Sequence, residues 1–407
     1  MPVSDMELEM LTPRMAQFAE SQTIAMSRRA RELMRQGRDI IKLSSGEPDL
    51  ETPGHVRETA KQAIDKGLTR ASNVDGLPEL KRAVADKLKR ENGLDYAEDE
   101  IIIGTGAKQV IANAILATVG NGDEVIIPAP YWVSYPDMVR LAGGTPVFVD
   151  CRPERGFMPT PEDIEAAITP STKWLVINNP NNPTGAVWDR DTLRGIADVL
   201  KRHPKVHVMT DDIYEHLVYD NAVVHTFAAI APELKSRVLT INGVSKAFAM
   251  SGWRIGYGAG PVWLIKAMAK LQSQMTSNPT TVSQHAAIAA LDGDPAGQAS
   301  YRATFKARRD KMAAVISATK FLDCHVPRGA FYVFADCSAA LGRTTPDGKT
   351  LKTDGDLTHY LLEQAGLAVV PGSAFGMGGY LRFSYAIDEA EIDRCSERLD
   401  KAMQLLS

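Results

Sequence analysis

Residues 173–211 read KWLVINNPNNPTGAVWDRDTLRGIADVLKRHPKVHVMTD. A short apolar run, KWLVIN, gives way to an Asn/Pro/Gly turn, then a helix-length segment, then a second apolar run, VHVMTD. The same order recurs from about Ile101 to Gly260, with IIIG, EVIIP, TPVFVD, RVLTIN and RIGYGAG as the further runs. Near-continuous Val/Ile runs separated by helix-length segments predict strands covered on both faces. That pattern means a mostly parallel, seven-stranded sheet in an α/β domain. Between the first two runs, Val110, Ile111, Ala114, Ile115 and Val119 keep helical spacing, and Gly120 and Gly122 stop the helix.

Outside this stretch the pattern changes. SQTIAMSRRARELMRQG (residues 21–37) reads as an amphipathic helix after a loose N-terminal arm. The far end alternates RGAFYVFAD, DLTHYLLEQAG, LAVVPG and YLRFSYA, and closes on a helix with Ile392, Cys395, Leu399 and Met403 on one face. The expected organisation is a three-layer α/β/α large domain over residues 46–290. A smaller α+β domain takes residues 291–407 and part of 1–45. Residues 342–355, GRTTPDGKTLKTDG, read as a polar, mobile surface loop.

The chain has 407 residues, 44% hydrophobic and 24% charged, which suits one large and one smaller domain. A formal net charge of -4 leaves no basic surplus for a phosphate backbone, so nucleic acid is not an expected partner. No apolar run has bilayer length, and MPVSDMELEM is acidic without a signal-like core. Cys151, Cys324, Cys337 and Cys395 are far apart and lack metal-binding spacing, so they read as reduced thiols in a cytoplasmic protein with no metal site.

In open α/β sheets ligands bind outside the carboxyl ends of the strands, so the residues following each run matter most. IIIG is followed by Gly106, Ala107 and Lys108 at a helix start, where free N–H groups suit an anion; taken alone, the stretch reads better as a plain strand–helix turn. Tyr131 and Trp132 follow EVIIP, with Trp132 either core or a platform for a planar ring. Asn182 follows KWLVIN in a turn-rich stretch. Asp211 and Tyr214 follow VHVMT, and Asp211 suits either a helix N-cap or a buried carboxylate facing a protonated ring nitrogen. Ser245 and Lys246 follow RVLTIN, the lysine among small and apolar neighbours that lower an amine's pKa and favour Schiff-base chemistry. Arg254 opens the last run, either as a salt-bridged cap or as a phosphate clamp. Lysine, clamp, stacking ring and aspartate are together satisfied by one cofactor, pyridoxal 5′-phosphate. Arg382, flanked by apolar residues in YLRFSYA, is either an edge-strand surface charge or a two-point grip on a carboxylate.

At this point the sequence resembles the fold-type I pyridoxal-phosphate aminotransferases, and within them the bacterial aspartate aminotransferases of subgroup Ib. LSSGEPDLETP, GLPELKRAV, GTGAKQ, PAPYWVSYPDMV, NNPNNPTGAV, DDIYEHL, VSKAFAMSGWRIGY and LRFSYA carry the resemblance over nearly the whole chain. It implies that Lys246 holds the cofactor and moves the proton, Asp211 pairs with the ring nitrogen, and Tyr214 and Asn182 reach the ring oxygen. It further implies that Trp132 stacks on the ring, while Arg254, Ser245, Gly106, Ala107 and Lys108 hold the phosphate. Arg382 and the Gly46 backbone would take the substrate α-carboxylate, and Lys108 its distal carboxylate. The resemblance also implies ping-pong transfer from L-aspartate to 2-oxoglutarate in a homodimer with shared active sites. Aromatic amino acids or prephenate are alternative substrates, and a lyase on the same fold is a more distant one. One position departs: a tyrosine usual in the family before GLPEL is Ala71 here, with an expected loss of about 1.5–3 kcal/mol of cofactor binding unless Arg70 or Ser72 substitutes.

Overall fold

The structure is a computed structural model that describes residues 10–18, 20–293 and 295–407. Nine of the ten residues of the acidic N-terminal stretch, and with them most of the expected loose arm, lie outside the described residues. Helix α1 (Gln22–Arg35) is the amphipathic helix expected there, with Ala30 and Leu33 buried. It leads into a two-residue strand, β1 (Ile41–Lys42), and then to helices α2 (Gly54–Asp65) and α3 (Pro78–Asn92).

Seven strands follow: β2 (Ile101–Thr105), β3 (Glu124–Ala129), β4 (Thr145–Asp150), β5 (Thr172–Asn178), β6 (His207–Asp211), β7 (Val238–Gly243) and β8 (Ile255–Ala259). They form one sheet in the order β2-β8-β7-β6-β5-β3-β4. Its pairings are parallel except at β8, which is antiparallel to both neighbours.

Alternation along the strands explains the layers. Leu175, Ile177, Val208 and Val238 join Val56, Leu80 and Val84 in one buried cluster. Helix α5 (Arg190–Arg202) adds Leu193 and Ile196 to that cluster. Trp174, Val176, Met209, Leu239 and Ile241 join Val110, Ile111 and Leu264 in another. The last three come from α4 (Ala107–Thr118) and α6 (Val262–Met275). Consecutive residues of one strand therefore bury in opposite layers, as a sheet covered on both faces requires. TPVFVD is the exception. As the edge strand β4 it leaves Thr145, Phe148 and Asp150 exposed and buries only Val149, so the expectation of two covered faces fails there.

Helix α7 (Thr281–Leu291) packs against α2 and α3. The rest of the chain forms a second core around α8 (Pro295–Ala318), β9 (Asp323–Cys324), β10 (Tyr332–Asp336), α9 (Asp354–Ala365), β11 (Leu367–Ala368), β12 (Val370–Pro371), β13 (Tyr380–Ser384) and α10 (Glu389–Gln404). Four of these strands form a sheet in the order β12-β13-β10-β9, while β11 pairs in parallel with β1. Ile41 and Leu43 thus share a core with Phe305, Phe383 and Leu399, which joins the two ends of the chain.

Two expectations need correction. Residues 342–355 are tied down locally: Thr344 and Thr350 form a β-bridge, the Thr345 hydroxyl accepts from the Lys349 N–H, and Thr345, Leu351 and Asp354 are buried. Arg382 is not on an edge strand, because β13 has β12 on one side and β10 on the other. The four apolar positions expected of the last helix, Ile392, Cys395, Leu399 and Met403, are all fully buried. Leu399→Ala should therefore cost about 2–5 kcal/mol of stability, read as a lower denaturant midpoint.

Candidate active site

The carboxyl ends of the parallel strands converge on a cavity of about 500 Å³. Asn178 ends β5, Asp211 ends β6, and Ser245 and Lys246 follow β7. Gly46, Ala107, Lys108, Trp132, Asn182, Asp211, Tyr214, Ser245, Lys246, Arg254 and Arg382 all line this one space. Gly106 lies directly behind, as the residue before α4. Six cationic side chains (Arg31, Lys42, Lys108, Lys246, Arg254 and Arg382) surround the cavity, against two carboxylates, Glu47 and Asp211. Such an imbalance suits a ligand with several negative charges.

Lys246 donates to the Gly46 carbonyl at 2.6 Å. Burial lowers its amine to about 8, with Glu47 opposing and Arg254 and Arg382 reinforcing the shift. Asp211 is buried, and burial pushes its carboxyl up to about 6 against hydrogen bonds from Tyr135 and the Ile213 N–H. The Tyr135 hydroxyl donates to Asp211 Oδ2 at 2.7 Å. Asn178 fixes the neighbouring backbone: its Nδ2 donates to the Asp211 carbonyl at 2.9 Å and its Oδ1 accepts from the Asn182 N–H at 2.8 Å. The Asp211 side chain makes no N-cap, and its inward-facing carboxylate is available to a ligand.

Arg382 is 2% exposed. Its Nη1 donates to Asn182 Oδ1 at 3.0 Å and its Nη2 to the Ser44 carbonyl at 2.8 Å. Its Nε has no partner among the described residues, and no carboxylate there lies within ion-pair distance. Leaving a buried cation without a counter-ion is costly, so the arrangement calls for an anion from outside.

The other end of the cavity is a helix start. Gly106 precedes α4 with no side-chain cap, leaving the first N–H groups of the helix to a ligand. Two glycines make the close approach there. Gly106 has φ +80, and a Cβ on it would stand 2.2 Å from Arg254 Nη2; one on Gly256 would stand 2.1 Å from the Ala107 nitrogen. Arg254 itself adopts a left-handed backbone (φ 58, ψ 52) and is held by the Ser251 carbonyl at 2.7 Å. Lys108 lies over the Trp132 ring at 5.1 Å, with its amine lowered by burial and by Arg254. Trp132 is part-exposed to the cavity, as well as packed against its neighbours.

Sequence reading missed Tyr135, Asn178 and Tyr332, each of which lines the cavity. A signal existed for two of them. Asn178 ends an apolar strand on a polar residue, and Tyr135 follows Trp132 by one helical turn. Arg70 and Ala71 are exposed and Ser72 bonds to Asn73 and Gln284; none of the three lines the cavity within this chain. No helix among the described residues is long and apolar enough to cross a membrane, and the four cysteines are unpaired.

The chain is similar to known proteins over almost its whole length. Residues 38–399 match the family described as aminotransferase class I and II. The aspartate/prephenate aminotransferase of Cereibacter sphaeroides is 51% identical over 387 residues, covering 95% of this chain and 97% of that protein. The crystal structure of the aspartate aminotransferase from Rhizobium meliloti matches with a TM-score of 0.94 at 48% identity, covering 98% of this chain and 99% of that one. The aspartate aminotransferase of Thermus thermophilus with maleate gives 0.90 at 42% identity, over 96% and 99% of the two chains.

The lowered amine of Lys246 has a measurable consequence. Reductive trapping by a small aldehyde, followed at the Lys246 peptide by mass spectrometry, should reach half its maximum near pH 8, the value set by burial. An ordinary lysine would titrate at about 10.4. Because the unfolded chain binds this proton more tightly, the same group makes stability rise with pH between those two values.

Proposed function

The chain belongs to the class I and II aminotransferases, and from that premise we propose that it transfers the amino group of L-aspartate to 2-oxoglutarate, with pyridoxal 5′-phosphate held on Lys246. The observation that carries the reading is a lysine with a lowered pKa sharing a cavity with a buried arginine that has no anionic partner among the described residues. The residues present fit the cofactor. Arg254, Ser245 and the uncapped start of α4 at Gly106, Ala107 and Lys108 would hold its phosphate. Asp211, oriented by Tyr135, would hold the proton on its ring nitrogen. Tyr214 and Asn182 would donate to the ring oxygen, and Trp132 would cover the ring face. Bound there, the cofactor supplies an aldehyde that accepts the amino group and a protonated ring that spreads negative charge.

The chain's own residues do the rest. Arg382 takes the α-carboxylate through its planar fork, helped by the Gly46 backbone, and so fixes the substrate's Cα near Lys246. The Lys246 amine then removes the proton from the donor's Cα and, in the reverse half of the exchange, delivers one to the acceptor's Cα, a task that a pKa of about 8 suits at neutral pH. Lys108 offers a second cation for a distal carboxylate, which favours acidic donors over neutral ones. Maleate, the molecule that accompanies the Thermus enzyme in its structure, is itself a four-carbon dicarboxylate. The double name of the Cereibacter relative makes prephenate a second acceptor to assay. We take the working unit to be a homodimer.

An absorbance spectrum with pyridoxal phosphate tests the reading: a visible band should form, and L-aspartate alone should remove it. A band that aspartate leaves unchanged would sink the acidic-donor assignment. Lys246→Ala should fold normally and lose both the band and all transamination. Lys108→Ala should lower kcat/KM for aspartate by roughly 10- to 100-fold, the worth of a charged hydrogen bond, and should affect a monocarboxylic donor far less.

A further inference from the structure

Tyr332 is 1% exposed and stands opposite Ser384 in the β10–β13 pairing, so it faces the cavity from the second domain. Its hydroxyl lies 2.9 Å from the Tyr214 hydroxyl. Its ring carries the guanidinium carbon of Arg382 at 4.3 Å from the centroid. One side chain therefore touches both the phenol and the arginine assigned above to opposite tasks. We infer that Tyr332 is a positioning residue with two separable parts, its hydroxyl serving Tyr214 and its ring face serving Arg382. The inference rests on the proposed function, because it concerns how those two groups are held for the cofactor and the substrate.

The two hydroxyls must share their protons. In a pair of phenols one donates and the other accepts. When Tyr214 gives its proton to a ligand, its own oxygen is left as an acceptor in a buried site. Tyr332 is the hydroxyl within reach to fill that acceptor. Donation into the Tyr214 oxygen polarises its O–H bond and makes it the stronger donor. Gly46 keeps this corner open, since a Cβ there would stand 3.2 Å from the Tyr332 oxygen.

Arg382 lies over two aromatic rings, Tyr332 at 4.3 Å and Phe375 at 5.0 Å from the centroids. The hydrogen bonds to Asn182 and Ser44 set the rotation of the guanidinium within its plane, and the rings set the plane itself. A flat fork held this way presents its remaining edge to a carboxylate without further ordering, and desolvated cation–π contact adds to the hold.

Tyr332→Phe and Tyr332→Leu, each with pyridoxal phosphate bound, separate the two parts. Two quantities are read: the pH midpoint of the visible band, and the dissociation constant for maleate by calorimetry. A weaker Tyr214 donor favours the more protonated chromophore. Tyr332→Phe, which removes one hydroxyl and keeps the ring, should therefore raise the midpoint by about half a unit, the scale of one neutral hydrogen bond. It should leave maleate affinity within about twofold. Tyr332→Leu should raise the midpoint and also weaken maleate roughly 2- to 30-fold. The wild-type band is recorded alongside, so the cofactor assignment is checked separately. A Tyr332→Phe variant that titrates like wild type, or a Tyr332→Leu variant that binds maleate as tightly, overturns the inference.

Discussion

A guanidinium with 2% exposure and, among the described residues, no carboxylate to face it is the constraint around which the site is arranged. Arg382 comes from the second core, yet its hydrogen-bond partners are Asn182, in the loop after β5, and the Ser44 carbonyl, in the segment after β1. Three stretches of chain that are distant in sequence must meet for this cation to be tolerated at all. The partial satisfaction it gets from two neutral acceptors and two ring faces falls short of what an ion pair would give. The same burial that makes Arg382 costly makes it selective, because a carboxylate is the group that completes it.

The loop after β6 faces a related difficulty with the opposite sign. Asp211 and Asp212 are buried and Glu215 is partly so, all within one short segment. Burial drives the Asp212 carboxyl well above its ordinary value, with Glu215 and Asp211 adding to the shift. Glu215 stays ionised because Lys87, a buried lysine of α3, bonds to it, joined by Asn92 and Asn242. The support reaches Asp211 from behind: burial favours the uncharged form of one neighbouring carboxyl and the other is paired, which limits repulsion on the carboxylate that faces the cavity. A helix that packs on the far layer of the sheet thereby shapes the electrostatics at its rim.

The sheet was legible in the sequence because burial on both faces leaves continuous Val and Ile, and the seven runs are the seven strands. What periodicity could not convey is position in the sheet, and the exposed face of β4 is the result. Lys246, Asp211 and Arg254 were legible for the converse reason: a charge beside an otherwise apolar strand is rare enough to ask for an explanation. Tyr332 carried no such mark, and Tyr135 only its spacing from Trp132, since an aromatic residue in an apolar stretch is accounted for by packing alone. Their meaning lies in partners 76 and 118 residues away. Such distances fall outside any local pattern. Arg382 lay between these cases: visible as a charge in an alternating strand, but not as buried, because that depended on β12 closing one side of β13.

The single antiparallel strand of the large sheet has a consequence for how the two cations at residues 246 and 254 come to share one rim. In a parallel sheet a chain that finishes a strand at one end must cross the whole layer before it can enter the next strand. Because β8 runs opposite to β7, the chain instead turns round at the rim and re-enters from the same side. The intervening residues, Val244 to Arg254, thus begin and end at the cavity, which Ser245, Lys246 and Arg254 line, while Val244, Ala247, Phe248 and Met250 anchor the turn in the core. A strand's beginning is brought level with other strands' endings. The cost is a cramped path, visible in the left-handed backbone of Ala249 and Arg254. One reversal of direction thus brings Lys246 and Arg254, proposed as nucleophile and anion clamp, together within nine consecutive residues.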